Sequence, residues 1–171
     1  MNTEQARFLA QYFANLMEGE FRATCSVLQA VPDGKRDYKP DEKSRSAWQL
    51  ATHLALGDIW FLDSILAGAF VFDPAIEAAQ REKFKTVAEV VAYYKREFPA
   101  RLEQLRTMPD ANLTRTVDFF GMFQSPAASL LGFANNHSTH HRGQLAAYLR
   151  AMGSKVPAIY GASADQPMAT A

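Results

Sequence analysis

The sequence predicts an all-α protein, a four-helix bundle forming a single domain over residues 1–171. Three observations lead there. Four stretches of roughly 23 to 27 residues repeat apolar side chains at helical spacing, each long enough for a helix of about 35 to 40 Å. Strong helix breakers separate them. Only one short β-branched and aromatic stretch interrupts the helical pattern. A chain of this length can bury most of its apolar surface in one core.

The first helix is expected over residues 4–29, where Leu9, Tyr12, Phe13, Leu16 and Val27 recur until Val31-Pro32-Asp33-Gly34 stops the run. After a polar stretch around Tyr38-Lys39-Pro40-Asp41, residues 45–68 form a second run that is apolar nearly all round, as befits a central bundle helix, with Gly68 as its stop. Thr86-Val87-Ala88-Glu89 has the form of a capping box, and Val90, Val91, Tyr94, Phe98, Leu102 and Leu105 carry a third helix to Met108-Pro109. Residues 113–123 are read as a short extended excursion or hairpin before the last helix. Pro126 suits the first turn of that fourth helix, which runs to Met152-Gly153. Ser154–Tyr160 is apolar enough to pack back on the domain, and residues 162–171 are expected to fray. The connections after the second and third helices could each cross the bundle end to end, so spacing alone leaves the topology open.

Composition narrows the function. Lys plus Arg equals Asp plus Glu at 18 each, and no dense basic run is present, which disfavours binding to nucleic acid or an anionic membrane. The start, Met1-Asn2-Thr3-Glu4-Gln5-Ala6-Arg7, lacks the pattern of a signal peptide, and no apolar uncharged stretch approaches about 18 residues. The expected setting is cytoplasmic. The single Cys25 cannot form an intrachain disulfide and, lying mid-helix with no histidine near in sequence, reads as an inert thiol.

Three of the four histidines fall in His137-Ser138-Thr139-His140-His141. Residues four apart on a helix lie about 6 Å from one another on one face, so His137 and His141 can converge on a metal ion. At about 100° per residue both lie within the core-facing stripe of Leu130, Ala134, Leu145, Tyr148 and Met152, while His140 flanks it. His53 lines up with Leu50, Gly57, Trp60 and Ser64 on the second helix and also points inward. Gly57, one turn on, leaves room for a bound water or substrate, or for a close helix crossing. Core histidines are often simply hydrogen-bonded, but three of them need partners for six ring nitrogens in an apolar interior, and one divalent ion serves three nitrogens together. Glu20 falls within the apolar arc of the first helix. It reads either as an acceptor behind a metal-bound histidine or a general base, or as half of an ion pair with a neighbouring helix or an edge position reaching solvent. Asn135, Asn136 and Gln144 are further acceptors in range. Trp48 and Trp60 read as core rather than as a substrate platform.

The segment from His137 through Arg142-Gly143-Gln144 to Gly153, followed by Val156-Pro157 and Ile159-Tyr160-Gly161, resembles the closing helix and tail of the DinB superfamily. The resemblance extends to His53, to Ser46-Ala47-Trp48 and to the four-helix plan. It implies an up-down-down-up bundle, often homodimeric, with a metal held by His53, His137 and His141. The implied ion is a divalent transition metal, zinc or nickel foremost and iron as an alternative, since imidazole suits several. Characterised members include thiol transferases and a mycothiol-dependent isomerase. Three neutral imidazoles leave coordination positions open, as catalytic sites do. An ion there can hold a thiol as its thiolate or lower the pKa of bound water to about 7. The leading expectation is therefore a metal-dependent thiol S-transferase whose partners are a small thiol and a small electrophile. The alternatives are a metal-dependent hydrolase and a non-enzymatic stress-response protein with a structural ion.

Overall fold

A computed structural model describes residues 1–167. Helix α1 spans Thr3–Gln29 and opens on a capping box between Asn2 and Gln5. Helix α2 spans Ala47–Ala67, α3 Pro74–Glu82, α4 Val87–Arg106, α5 Asp110–Thr114 and α6 Ala127–Ala151; strands β1 (Thr116–Phe119) and β2 (Phe123–Pro126) precede α6. The four long helices form the bundle. α1 packs on α4 and α6, and α2 packs on the same two, so α1 and α2 stand on opposite corners.

Side-chain pairings give the directions. Arg7 near the start of α1 donates to the Met108 and Arg106 carbonyls beyond and at the end of α4, making these two antiparallel. Asp58 meets Tyr94 and Asp63 meets Arg101, so α2 and α4 run the same way. Phe13 faces Gly132 and Thr24 meets Arg142, so α1 and α6 are parallel. His53 faces His137 and Phe61 faces Phe133, so α2 and α6 are antiparallel. The order is up-down-down-up; the connections from α1 to α2 and from α4 to α6 each cross a diagonal, and the connection between the parallel α2 and α4 returns along the length of the bundle.

Local chemistry sets the ends. Ser46 and Gln49 close a capping box at the start of α2, and Gly68 ends it in the left-handed conformation at φ 77° while donating to the Ser64 carbonyl. Arg115 from the segment before β1 donates to the Ile65 and Leu66 carbonyls, satisfying acceptors that the end of a helix leaves open. Thr86 caps α4 as its sequence predicts, but Glu89 reaches the Lys85 amide, one residue before the cap. α2 is apolar and long enough to cross a membrane, yet 72% of that apolar window is buried within the bundle, as for the core helix of a globular domain.

The sequence-based expectations change at four points. α1 turns its alanines inward: Ala6, Ala10 and Ala14 are buried with Met17, whereas Tyr12 is 52% exposed and Leu9, Phe13 and Leu16 sit at the flanks. Small residues let the neighbouring backbones approach, and a stripe weighted toward large side chains misses that face. The connection after α2 contains α3, an extra helix with no buried residue. The excursion is a hairpin over 116–126, turning through Phe120 and Gly121 at positive φ, while Leu113 and Thr114 belong to α5. In the tail, the expected fraying of 162–171 gives way to contacts at 163–166: Ser163 donates to the Val156 carbonyl, and Asp165 accepts from the Val156 amide and pairs with Arg150. Residues 168–171 lie outside the described residues.

Candidate metal centre

His53 from α2 and His137 and His141 from α6 meet at the middle of the α2/α6 interface, with one ring nitrogen of each within 4.8 Å of the others. The antiparallel crossing explains the meeting. A one-turn step along α6 from His137 to His141 runs beside the step from Gly57 to His53 on α2, so all three rings share one layer. A Cβ on Gly57 would come within 2.7 Å of His137 Cε1, so the missing side chain makes the space the ring occupies.

Each imidazole has an oxygen behind it. His53 Nδ1 lies 3.4 Å from Glu77 Oε1, His141 Nδ1 lies 3.2 Å from Gln144 Oε1, and His137 Nδ1 lies 3.7 Å from Asp58 Oδ1. Acceptors on Nδ1 favour the tautomer whose proton is there, which turns the Nε2 lone pairs toward one another. His53 Nε2 and His137 Nε2 are 3.2 Å apart. Two nitrogens about 2.0 to 2.1 Å from one tetrahedral ion stand about 3.3 Å apart, so the donor set fits a divalent metal.

Asp58 is 3% exposed in an otherwise apolar stretch of α2. Its Oδ2 accepts from the Tyr94 hydroxyl at 2.9 Å and the Ser138 hydroxyl at 2.8 Å. Burial, and then the charge of Asp58, push the Tyr94 hydroxyl well above its ordinary pKa and keep it a donor. Asp58 Oδ1 and His137 Nδ1 are both buried without a hydrogen-bond partner and face each other. Asp58 is the acceptor placed for a proton on His137 Nδ1, and a metal held at Nε2 would make that N–H a stronger donor toward it. Asp58→Asn keeps the shape but offers an amide that cannot accept from both hydroxyls and from His137. The metal dissociation constant of this variant is expected to rise about 10- to 100-fold, by competition titration against a chromogenic chelator; an unchanged constant would mean that Asp58 plays no part in orienting His137.

Burial, then the positive charge of Arg45 and of His137, depresses the His53 pKa from 6.5 to about 4, with Glu77 opposing. Burial, then His137, lowers His141 from 6.5 to about 4 as well, with the Gln144 hydrogen bond opposing. Both imidazoles are thus neutral near pH 7 and available as ligands. In the unfolded chain they take up protons as pH falls through about 6.5, before the folded protein does, so the unfolded state gains protons over this interval. The melting temperature of chelator-treated protein is expected to fall from about pH 7 toward pH 4 and then to stop responding to these groups. A His53→Ala/His141→Ala protein should lose less over the same window, and an equal loss would assign the pH response to other groups.

The remaining predicted residues fall into place differently. His140 is exposed and packs edge-on against His141, outside the cluster. Glu20 is not brought to the histidines. Its carboxylate pairs with the buried Arg142 and accepts from Tyr160, the helix-to-helix ion pair that was its other reading. Asn135 and Asn136 make no hydrogen bond to the histidines among the described residues, whereas Gln144 does. Cys25 is buried and reduced, and burial raises its pKa, as for an inert thiol. Trp48 is half-buried and carries Arg36 over its ring. Trp60 packs against the core beside Phe61 and Phe70, as expected, and its outer side also lines a cleft of about 210 Å³ between α2 and the 71–80 segment into which His53 and His137 open. Sequence reasoning missed Asp58 and Glu77. A lone buried-period acid beside Gly57 was a usable signal for Asp58, but nothing local ties Glu77, on a separate surface helix, to His53.

The DinB family model matches residues 1–169. The chain belongs to the DinB family. This DinB protein is 36% identical over 159 residues to the uncharacterised protein YrdA of Bacillus subtilis, covering 91% of the chain and 90% of YrdA. It is 32% identical over 133 residues to YjoA of the same organism, covering 76% of the chain and 82% of YjoA. Crystal structures of DinB-like proteins share the fold. YjoA superposes with a TM-score of 0.67 at 24% identity, covering 86% of this chain and 96% of that one. A Bacillus cereus protein superposes with a TM-score of 0.69 at 23% identity, over 86% and 95%.

Proposed function

We propose that this DinB protein is a metal-dependent thiol S-transferase acting on small electrophiles. One observation carries the reading: three imidazoles, each backed by an oxygen at Nδ1, turn their free nitrogens to a common point that opens on an apolar cleft. His53, His137 and His141 would hold a divalent transition metal, with zinc, nickel and iron all compatible with imidazole. When bound, such an ion supplies a positive charge that keeps a thiol ionised near neutral pH. Asp58, Glu77 and Gln144 fix the imidazoles, and the apolar cleft walls exclude water from the sulfur. The proposal includes a cytoplasmic setting, where small thiols stay reduced, and a homodimer, for which Phe8 and Tyr12, exposed and stacked on α1, offer an apolar surface.

The test is a thiol-consumption assay on metal-loaded protein with several low-molecular-weight thiols and chlorodinitrobenzene, in which a carbon–sulfur bond forms as chloride leaves. Turnover that stops on chelation and returns with the ion is expected. Ester hydrolysis without thiol would instead favour the hydrolase. No turnover, with a melting temperature that chelation sharply lowers, would favour a structural ion.

A further inference from the structure

The cleft beside the histidines has a composition that restricts what enters it. Leu56, Trp60, Val71, Phe72 and Ile76 supply apolar walls, and His53 and His137 form its inner end. Three acids also border it, but each is already engaged. Asp63 pairs with Arg101, Glu77 pairs with Arg81 and lies against His53, and Asp73 caps α3 through the Ala75 amide. No lysine or arginine lines the cleft among the described residues. A carboxylate or phosphate entering it would leave water and meet carboxylates, with no cation to pair it. A flat apolar body would meet the faces and edges of Trp60 and Phe72, with which aromatic groups pack well. At about 210 Å³ the space is below the 300 to 1,000 Å³ typical of sites for drug-sized ligands.

We infer that the cleft binds the uncharged aromatic or similarly apolar body of a small substrate, with the polar reacting atom at the end that meets His53 and His137, and that it refuses bodies carrying a carboxylate or phosphate. This names the substrate class of the site proposed above and rests on that reading for where the reacting atom lies. Selection against anions is a property of the cleft walls themselves, so it is read in chelated protein, where no ion offers a carboxylate a coordination position.

The experiment compares two probes of nearly equal size, 4-nitrobenzyl alcohol and 4-nitrobenzoate, at pH 7.5. Binding is measured by equilibrium dialysis to the unmodified protein and by fluorescence quenching of Trp60 in Trp48→Phe, each with chelator and again with zinc. The alcohol is expected to bind at least about tenfold more tightly than the benzoate in chelated protein, with saturable quenching of Trp60. Ile76→Lys, a change at a residue 58% exposed at the cleft, should narrow or reverse that ratio by supplying a cation. Equal binding of the two probes, tighter binding of the benzoate to chelated protein, or a ratio that ignores Ile76→Lys would overturn the inference. Selectivity in chelated protein together with no metal uptake would reject the metal reading while leaving the cleft assignment standing.

Discussion

His141→Ala is expected to strip the protein of its metal. Structural zinc sites bind with about 10 to 16 kcal/mol in all, so one imidazole in a set of three or four is worth roughly 3 kcal/mol, a loss of more than about a hundredfold in affinity. His137 and His53 would remain 3.2 Å apart, but a pair of imidazoles does not hold a divalent ion against buffer and chelator as three do. Elemental analysis of tag-free protein checks this. About one transition metal per chain in the unmodified protein and none in the variant is the expected result. The fold should survive, since His141 is only half-buried and packs at the edge of the cleft layer, so circular dichroism should be unchanged. Retention of a full equivalent of metal by the variant would place the ion elsewhere. An absence of metal from both proteins after reconstitution with zinc and with nickel would reduce the three histidines to hydrogen-bonded core residues.

Arg142→Ala is expected to give the largest loss of stability of any single change discussed. Arg142 is 1% exposed, donates to Thr24 Oγ1 at 3.1 Å and to the Glu20 carbonyl, and pairs with the Glu20 carboxylate and the Tyr160 hydroxyl. It joins α1, α6 and the tail at one point. Removing one partner of a buried pair costs about 3 to 5 kcal/mol, because the remaining charge and acceptors lose their compensation. Glu20 retains some access to water, which places the expected loss near the lower end. That is a large part of the roughly 5 to 15 kcal/mol that stabilises a typical domain. Urea unfolding measures it, and the Arg142→Met/Glu20→Gln pair should recover part of the loss, since replacing both charges leaves neither stranded. A loss below about 1 kcal/mol for Arg142→Ala would show the pair to behave as an exposed one.

The long helices and the three histidines of the candidate site were legible because helical order is local. His137 and His141 share a face by spacing alone, and His53 points inward by the same periodicity. Gly68 and Thr86 mark helix ends through bonds to residues three or four away, which any window of the sequence contains. The α1 core face was not legible, because Ala6, Ala10 and Ala14 become the inward stripe only once α4 and α6 come close enough to exclude larger side chains. Glu20 shows the same limit. Its position on the helix restricted it to an interior edge, but whether it faced an imidazole or a guanidinium depended on which residues of α6 lay opposite.

By itself, the sequence determined the four long helices, the inward direction of His53, His137 and His141, and the balance of charge. The tertiary structure alone decided that these rings meet at one point, that Asp58 and Glu77 stand behind two of them, and that α3 roofs an apolar cleft at their open side. The reason is physical. Periodicity fixes the angle of a side chain about its own helix axis, whereas the site depends on the register and spacing between helices. Those are set by packing across the whole core, and α3, with no buried residue, contributes none of the periodic signal that would announce where it lies.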